Sequence, residues 1–182
     1  MGMAIAVPRY TVEDLEHFPD DGNRYELLDG VLLVTPAPAA SHQIVASRIH
    51  TRLAEALQTP GFAHVVGPGA IVRPPGTQLQ PDILVYPARF KPDIDWVDVG
   101  EHWLAVEVLS RSSRIYDREF KRDAYFALGV QQVWLVDRHD KSVEVWRAPR
   151  RSEIVRDTIR WHVAPLDVIV SVPLAGIFAG LD

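Results

Sequence analysis

With 182 residues, 47% of them apolar and 24% charged, the chain has an ordinary globular composition and enough length to bury its own core. It has no cysteine, which excludes disulfides and thiolate metal sites, and no window nears the roughly 18 unbroken apolar residues of a membrane span. A net charge of -5 argues against a strongly basic nucleic-acid coat, although carboxylates gathered around a divalent cation would leave a DNA enzyme acidic too.

The expectation is one domain over residues 1–182, cytoplasmic, with no membrane association and with residues 1–9 as a flexible arm. The N-terminus lacks the basic-then-apolar pattern of a signal peptide. Thr11 and Asp14 form a helix-opening pair, and a short helix to about Phe18 is broken by the stretch from Pro19 to Asn23. Arg24 to Leu28 and Val31 to Val34 flank Asp29-Gly30, a strong hairpin signal. Glu26 therefore sits on an apolar hairpin strand, where it either faces solvent or serves a site. Ser41 reads as the N-cap of a helix to about Gln58, whose Val45, Ile49, Leu53 and Leu57 recur every four positions. His42, in the first turn, is either a polar surface residue or a site residue. Phe62 to Val72 reads as one strand interrupted by Gly67-Pro68-Gly69, and Arg73 to Gln78 as a turn.

Pro81-Asp82-Ile83-Leu84-Val85-Tyr86 sets an acid at the mouth of an apolar, central strand. After a loop from Arg89 to Gly100, Trp103 to Leu109 is apolar on both faces except at Glu107. A carboxylate there is costly unless it is paired, bound to a metal or protonated, so Glu107 reads as functional. Ser110 to Ser113 forms a polar turn, and a helix from about Ile115 to Leu128 stops at Gly129. Asp117, Lys121 and Tyr125 share one stripe of that helix; Lys121 either pairs with Asp117 or serves a site. Val133 to Val136 is a short strand, and the order strand, helix, strand predicts a right-handed parallel crossover carrying the lysine over the sheet. Asp137 to Lys141 is a turn, Ser142 to Arg147 an outer strand, Arg150 to Glu153 a charged break, and Ile154 to Val163 a half-exposed strand before a last one at Val168 to Val172.

Two acids on neighbouring apolar strands followed by a lysine suit metal-dependent phosphodiester hydrolysis. That chemistry needs a divalent cation held by carboxylates, an activated water and stabilisation of developing charge. Mg²⁺ takes oxygen ligands and is often held by one or two carboxylates plus waters, a part that Asp82 and Glu107 fit if their strands are adjacent. Lys121 would orient the water or steady the transition state.

The order Pro81-Asp82, Glu107 on the next strand, then a basic residue resembles the PD-(D/E)XK nuclease superfamily. More narrowly, the chain is similar to the bacterial Uma-type restriction-endonuclease family. The resemblance rests on Arg24-Tyr25-Glu26-Leu27-Leu28-Asp29-Gly30, Pro36 to His42, Pro81 to Val85, Val106 to Ser113, and Asp117 to Asp137. It spans nearly the whole chain. It implies an α/β (α+β) fold, a restriction-endonuclease-like mixed central sheet flanked by helices. The superfamily pattern puts lysine two residues after the second acid, where this chain has Leu109. The resemblance therefore implies that Lys121 takes the lysine's part. It also implies that Glu26 is an additional acid and His42 a lesser member of the pocket. The expected activity is Mg²⁺-dependent DNA cleavage, with Mn²⁺ as a substitute cation and a homodimer or higher homo-oligomer as the assembly. The alternatives are a catalytically inactive module binding nucleic acid or a protein, and a hydrolase of another phosphate ester.

Overall fold

The computed structural model describes residues 8–110 and 120–181. Its centre is a six-stranded sheet in the order β10-β9-β8-β7-β6-β3. These strands are β3 (Ala63–Val66), β6 (Ile83–Pro87), β7 (Leu104–Val108), β8 (Val133–Asp137), β9 (Ser142–Ala148) and β10 (Arg151–Val155). Neighbours pair antiparallel except β7 and β8, which are parallel, as the strand–helix–strand order predicts. The fold is therefore mixed α+β, in agreement with the expected class.

Every residue of β6, β7 and β8 is buried, because both faces of the sheet are covered. One face packs Ile83, Val85, Val106, Val108, Trp134 and Val136 under α1 (Ala40–Leu53), α3 (Leu174–Phe178) and a hairpin of β11 (Thr158–Val163) and β12 (Val168–Pro173). Val45, Ile49, Leu53 and Leu57 are the buried stripe of α1 and of the wider π turn, Ala54–Gln58, that continues it. The opposite face packs Leu84, Tyr86, Ala105, Leu109, Val133 and Leu135 against α2 (Arg122–Ala127) and a second sheet. That four-stranded sheet has the order β2-β1-β5-β4, with β1 (Arg24–Leu28), β2 (Val31–Thr35), β4 (Ile71–Arg73) and β5 (Thr77–Leu79).

The second sheet corrects several expectations. Phe62 to Val72 is not one strand. The chain leaves β3 at Gly67 and enters β4 in the other sheet, and a Cβ on Gly67 or Gly69 would meet Asp82 O at 2.7 Å or Leu84 Cβ at 2.6 Å. Part of the expected Arg73–Gln78 turn is β5, which pairs with both β4 and β1. The charged break at Arg150 to Glu153 is the edge strand β10, whose exposed polar residues need no apolar pattern. The first helix is a short 3-10 turn, Glu13–His17. Of the expected helix from Ile115 to Leu128, the described part is α2 and the π-type residues before it; Asp117 and the polar turn's Arg111 to Ser113 lie outside the described residues.

Candidate active site

Register brings the two acids together. Ile83 of β6 stands opposite Val106 of β7 in an antiparallel pair, so one step further Asp82 falls opposite Glu107 on the α2 side of the sheet. Directly opposed residues of this kind have Cβ atoms about 5 Å apart. Asp82 Oδ2 accepts the Val108 backbone N–H at 2.8 Å, which closes the ladder between the two strand ends.

Lys121 and Tyr125, four residues apart, both reach Glu107 from above. Tyr125 OH donates to Glu107 Oε1, and Lys121 Nζ donates to the same oxygen at 3.2 Å. The ammonium also lies 2.7 Å from Glu26 Oε2 on β1 of the second sheet. The other oxygen of Glu26 accepts the Gln80 N–H at 2.7 Å, tying β1 to the segment that enters Asp82. Glu26 is fully buried (0% exposed), Glu107 is 3% exposed and Lys121 4%. The solvent-facing reading of Glu26 is thus excluded: it is a buried counter-ion that fixes the lysine. Charges so buried persist only when paired and hydrogen-bonded, and these are.

Arg24 and His42 complete the surroundings of Asp82. Arg24 donates to Asp82 Oδ1 at 3.0 Å and to Gln80 O at 2.9 Å. His42 Nε2 is 3.0 Å from Asp82 Oδ2, and the residue is 7% exposed. Sequence reasoning passed over Arg24. The available signal was its position two residues before Glu26, on the same face of β1. Ser41 is not the N-cap: Ala39 has that place with no side-chain cap, and Ser41 Oγ instead accepts a hydrogen bond from Arg138 Nη1.

Burial opposes ionisation of Asp82. The hydrogen bond and charge of His42, the charge of Arg24 and the Val108 amide outweigh it and hold the carboxyl below its ordinary 3.8. Arg24 is likewise desolvated, but Asp82, Glu107 and Glu26 together raise its pKa above the ordinary value. Asp82 is therefore a carboxylate at neutral pH, held between Arg24 and His42.

The site opens on a cleft of about 440 Å³ whose lining includes Arg24, His42, Asp82, Glu107, Lys121 and Arg138. Its donor chemistry suits a hard divalent cation, because adjacent strands offer carboxylate oxygens from Asp82 and Glu107. Among the described residues no group of three His, Asp or Glu side chains is assembled to hold a metal, so a cation here would keep several waters.

No helix among the described residues is long and apolar enough to cross a membrane. The fold is similar to that of a solved protein from Anabaena variabilis titled a "putative nuclease belonging to DUF820". The TM-score is 0.71 at 16% identity, over 93% of this chain and 97% of that one. No curated protein matches the chain. The model of the Uma2 family, described as "Putative restriction endonuclease", matches residues 12–172. With a match of that extent over the strands and helix that build the cleft, the chain belongs to the Uma2 family.

Proposed function

We propose that this protein is a Mg²⁺-dependent endonuclease that hydrolyses DNA phosphodiester bonds at the cleft between β6, β7 and α2. The observation that carries this reading is the convergence of Asp82, Glu107 and Lys121 on one cleft, with Glu26 behind the lysine. Asp82 and Glu107 would hold the cation, with Mn²⁺ as a substitute; when bound, it supplies a polarised phosphoryl oxygen and a more acidic water. The Lys121 ammonium, fixed between Glu26 and Glu107, places positive charge where the attacked phosphate gains negative charge. Tyr125 holds the Glu107 oxygen that the lysine also uses, so the carboxylate keeps one orientation. Arg24 and His42 do the same for Asp82 and keep it ionised. A homodimer is the simplest assembly for cutting both strands.

A second reading is an inactive nuclease-like module. It is favoured by the engagement of both Asp82 oxygens, by Arg24 on one side and by His42 and the Val108 amide on the other. Incubation of supercoiled plasmid with Mg²⁺, together with Mg²⁺ calorimetry, separates the two. The nuclease reading expects nicking by wild type, none by Glu107→Gln, and weakened metal binding in Asp82→Asn. Absence of metal binding and of nicking in wild type supports the module.

A further inference from the structure

Five side chains in the cleft lining bear or can bear positive charge: Arg24, His42, Lys121, Arg138 and His139. Arg24 and His42 are held by Asp82, and Lys121 by Glu26 and Glu107. Arg138 differs. Its Nη1 donates to the neutral Ser41 hydroxyl, its Nε is buried with no hydrogen-bond partner, and among the described residues no carboxylate pairs with it. A guanidinium left in a cleft without a counter-ion is a site for an anion from outside the fold.

Its place in the sheet says which anion. Val136 of β8 is level with Val108 of β7, so Arg138 leaves the sheet two residues beyond that level, on the rim above Glu107. From the strand spacing and rise, the Arg138 and Glu107 Cα atoms are about 11 Å apart. The guanidinium is turned to Ser41 at the start of α1, so a sugar–phosphate chain lying across the strand ends would reach it one step along from a bond placed at Asp82 and Glu107. The N-terminal turn of α1, which carries Ser41 and His42, opens on the same rim, with its helix dipole positive towards the cleft. Ser41 accepts from Arg138, so its own proton remains to be donated.

We propose that Arg138, set by Ser41 at the start of α1, is a binding residue for a DNA phosphate flanking the one to be cut. The site deepens the nuclease reading and rests on it. Arg138 has no part in holding the cation, so metal binding is a separate readout.

The test is fluorescence anisotropy of a short labelled DNA duplex with EDTA present, at several salt concentrations, for wild type, Arg138→Ala, Arg138→Lys and Ser41→Ala. Loss of one phosphate contact lowers the slope of log K against log salt by about 0.9. Arg138→Ala is expected to show that loss with roughly tenfold weaker binding at low salt and unchanged Mg²⁺ affinity by calorimetry. Arg138→Lys is expected to keep the slope, because an ammonium still neutralises a phosphate, and Ser41→Ala is expected to weaken binding less than Arg138→Ala. Wild-type DNA binding with an unaltered slope in Arg138→Ala overturns the subsite alone. Wild type that neither binds duplex nor nicks plasmid overturns the nuclease reading, and the subsite with it.

Discussion

Replacing Lys121 with methionine tests the centre of the site. The ammonium is 2.7 Å from Glu26 and 3.2 Å from Glu107, and all three residues are almost completely removed from solvent. Methionine keeps the apolar stem and deletes the charge, leaving two buried carboxylates without their shared cation. Breaking a buried pair in this way typically costs about 3–5 kcal/mol. For a chain of this length that is a fall in Tm of roughly 6–20 °C. Urea denaturation at neutral pH measures it. A comparator is Arg52→Ala: Arg52 pairs with Glu55, both side chains are more than half exposed, and its loss should cost about 0.5 kcal/mol or less. The double variant Glu26→Gln with Lys121→Met should recover part of the loss, because it removes one of the stranded charges. A Lys121→Met protein within about 1 kcal/mol of wild type would refute the reasoning, since the ammonium would then not be neutralising buried acids.

Three further outcomes are expected. Asp82 is depressed in the fold, so its stabilisation is present above the ordinary 3.8 and is lost as pH falls through its lower folded value; urea midpoints between about pH 5 and 3 should fall less steeply for Asp82→Asn. His102 is 1% exposed, and burial chiefly, with Arg73 nearby, lowers its pKa from 6.5 to about 4. The unfolded chain therefore takes up the proton first, and stability complete above pH 6.5 declines by about 3 kcal/mol towards pH 4; His102→Phe should flatten that slope in the same denaturation series. Gly69→Ala should cost about 1–3 kcal/mol, because the new methyl meets the Leu84 side chain inside van der Waals contact, and thermal melting reads it directly.

The strands that build the centre of the site were legible because their physics is local. β6, β7 and β8 are short apolar runs, and a glutamate inside one of them demands an explanation that a surface glutamate does not. The Lys121–Tyr125 spacing likewise announced one helical face. What stayed hidden depends on pairing between distant segments. Nothing around Thr77–Leu79 resembles a strand, since three residues suffice when β1 and β4 supply the hydrogen bonds on either side. Without that sheet, the burial of Glu26 against Lys121 cannot be foreseen. Ser41 misled for a related reason: its local pattern says cap, but the tertiary partner Arg138 claims the hydroxyl. Arg138 itself follows the end of β8 in what reads as an ordinary turn.

The cation that bridges Glu26 and Glu107 also ties the first strand of the fold to the crossover that follows β7. Closing so long a loop carries an entropic cost that is recovered only when the two sheets meet. On the proposed function, a growing or partly folded chain would carry the acids without the lysine in place. The centre proposed for cleavage would then be complete only once the second sheet and the crossover have docked.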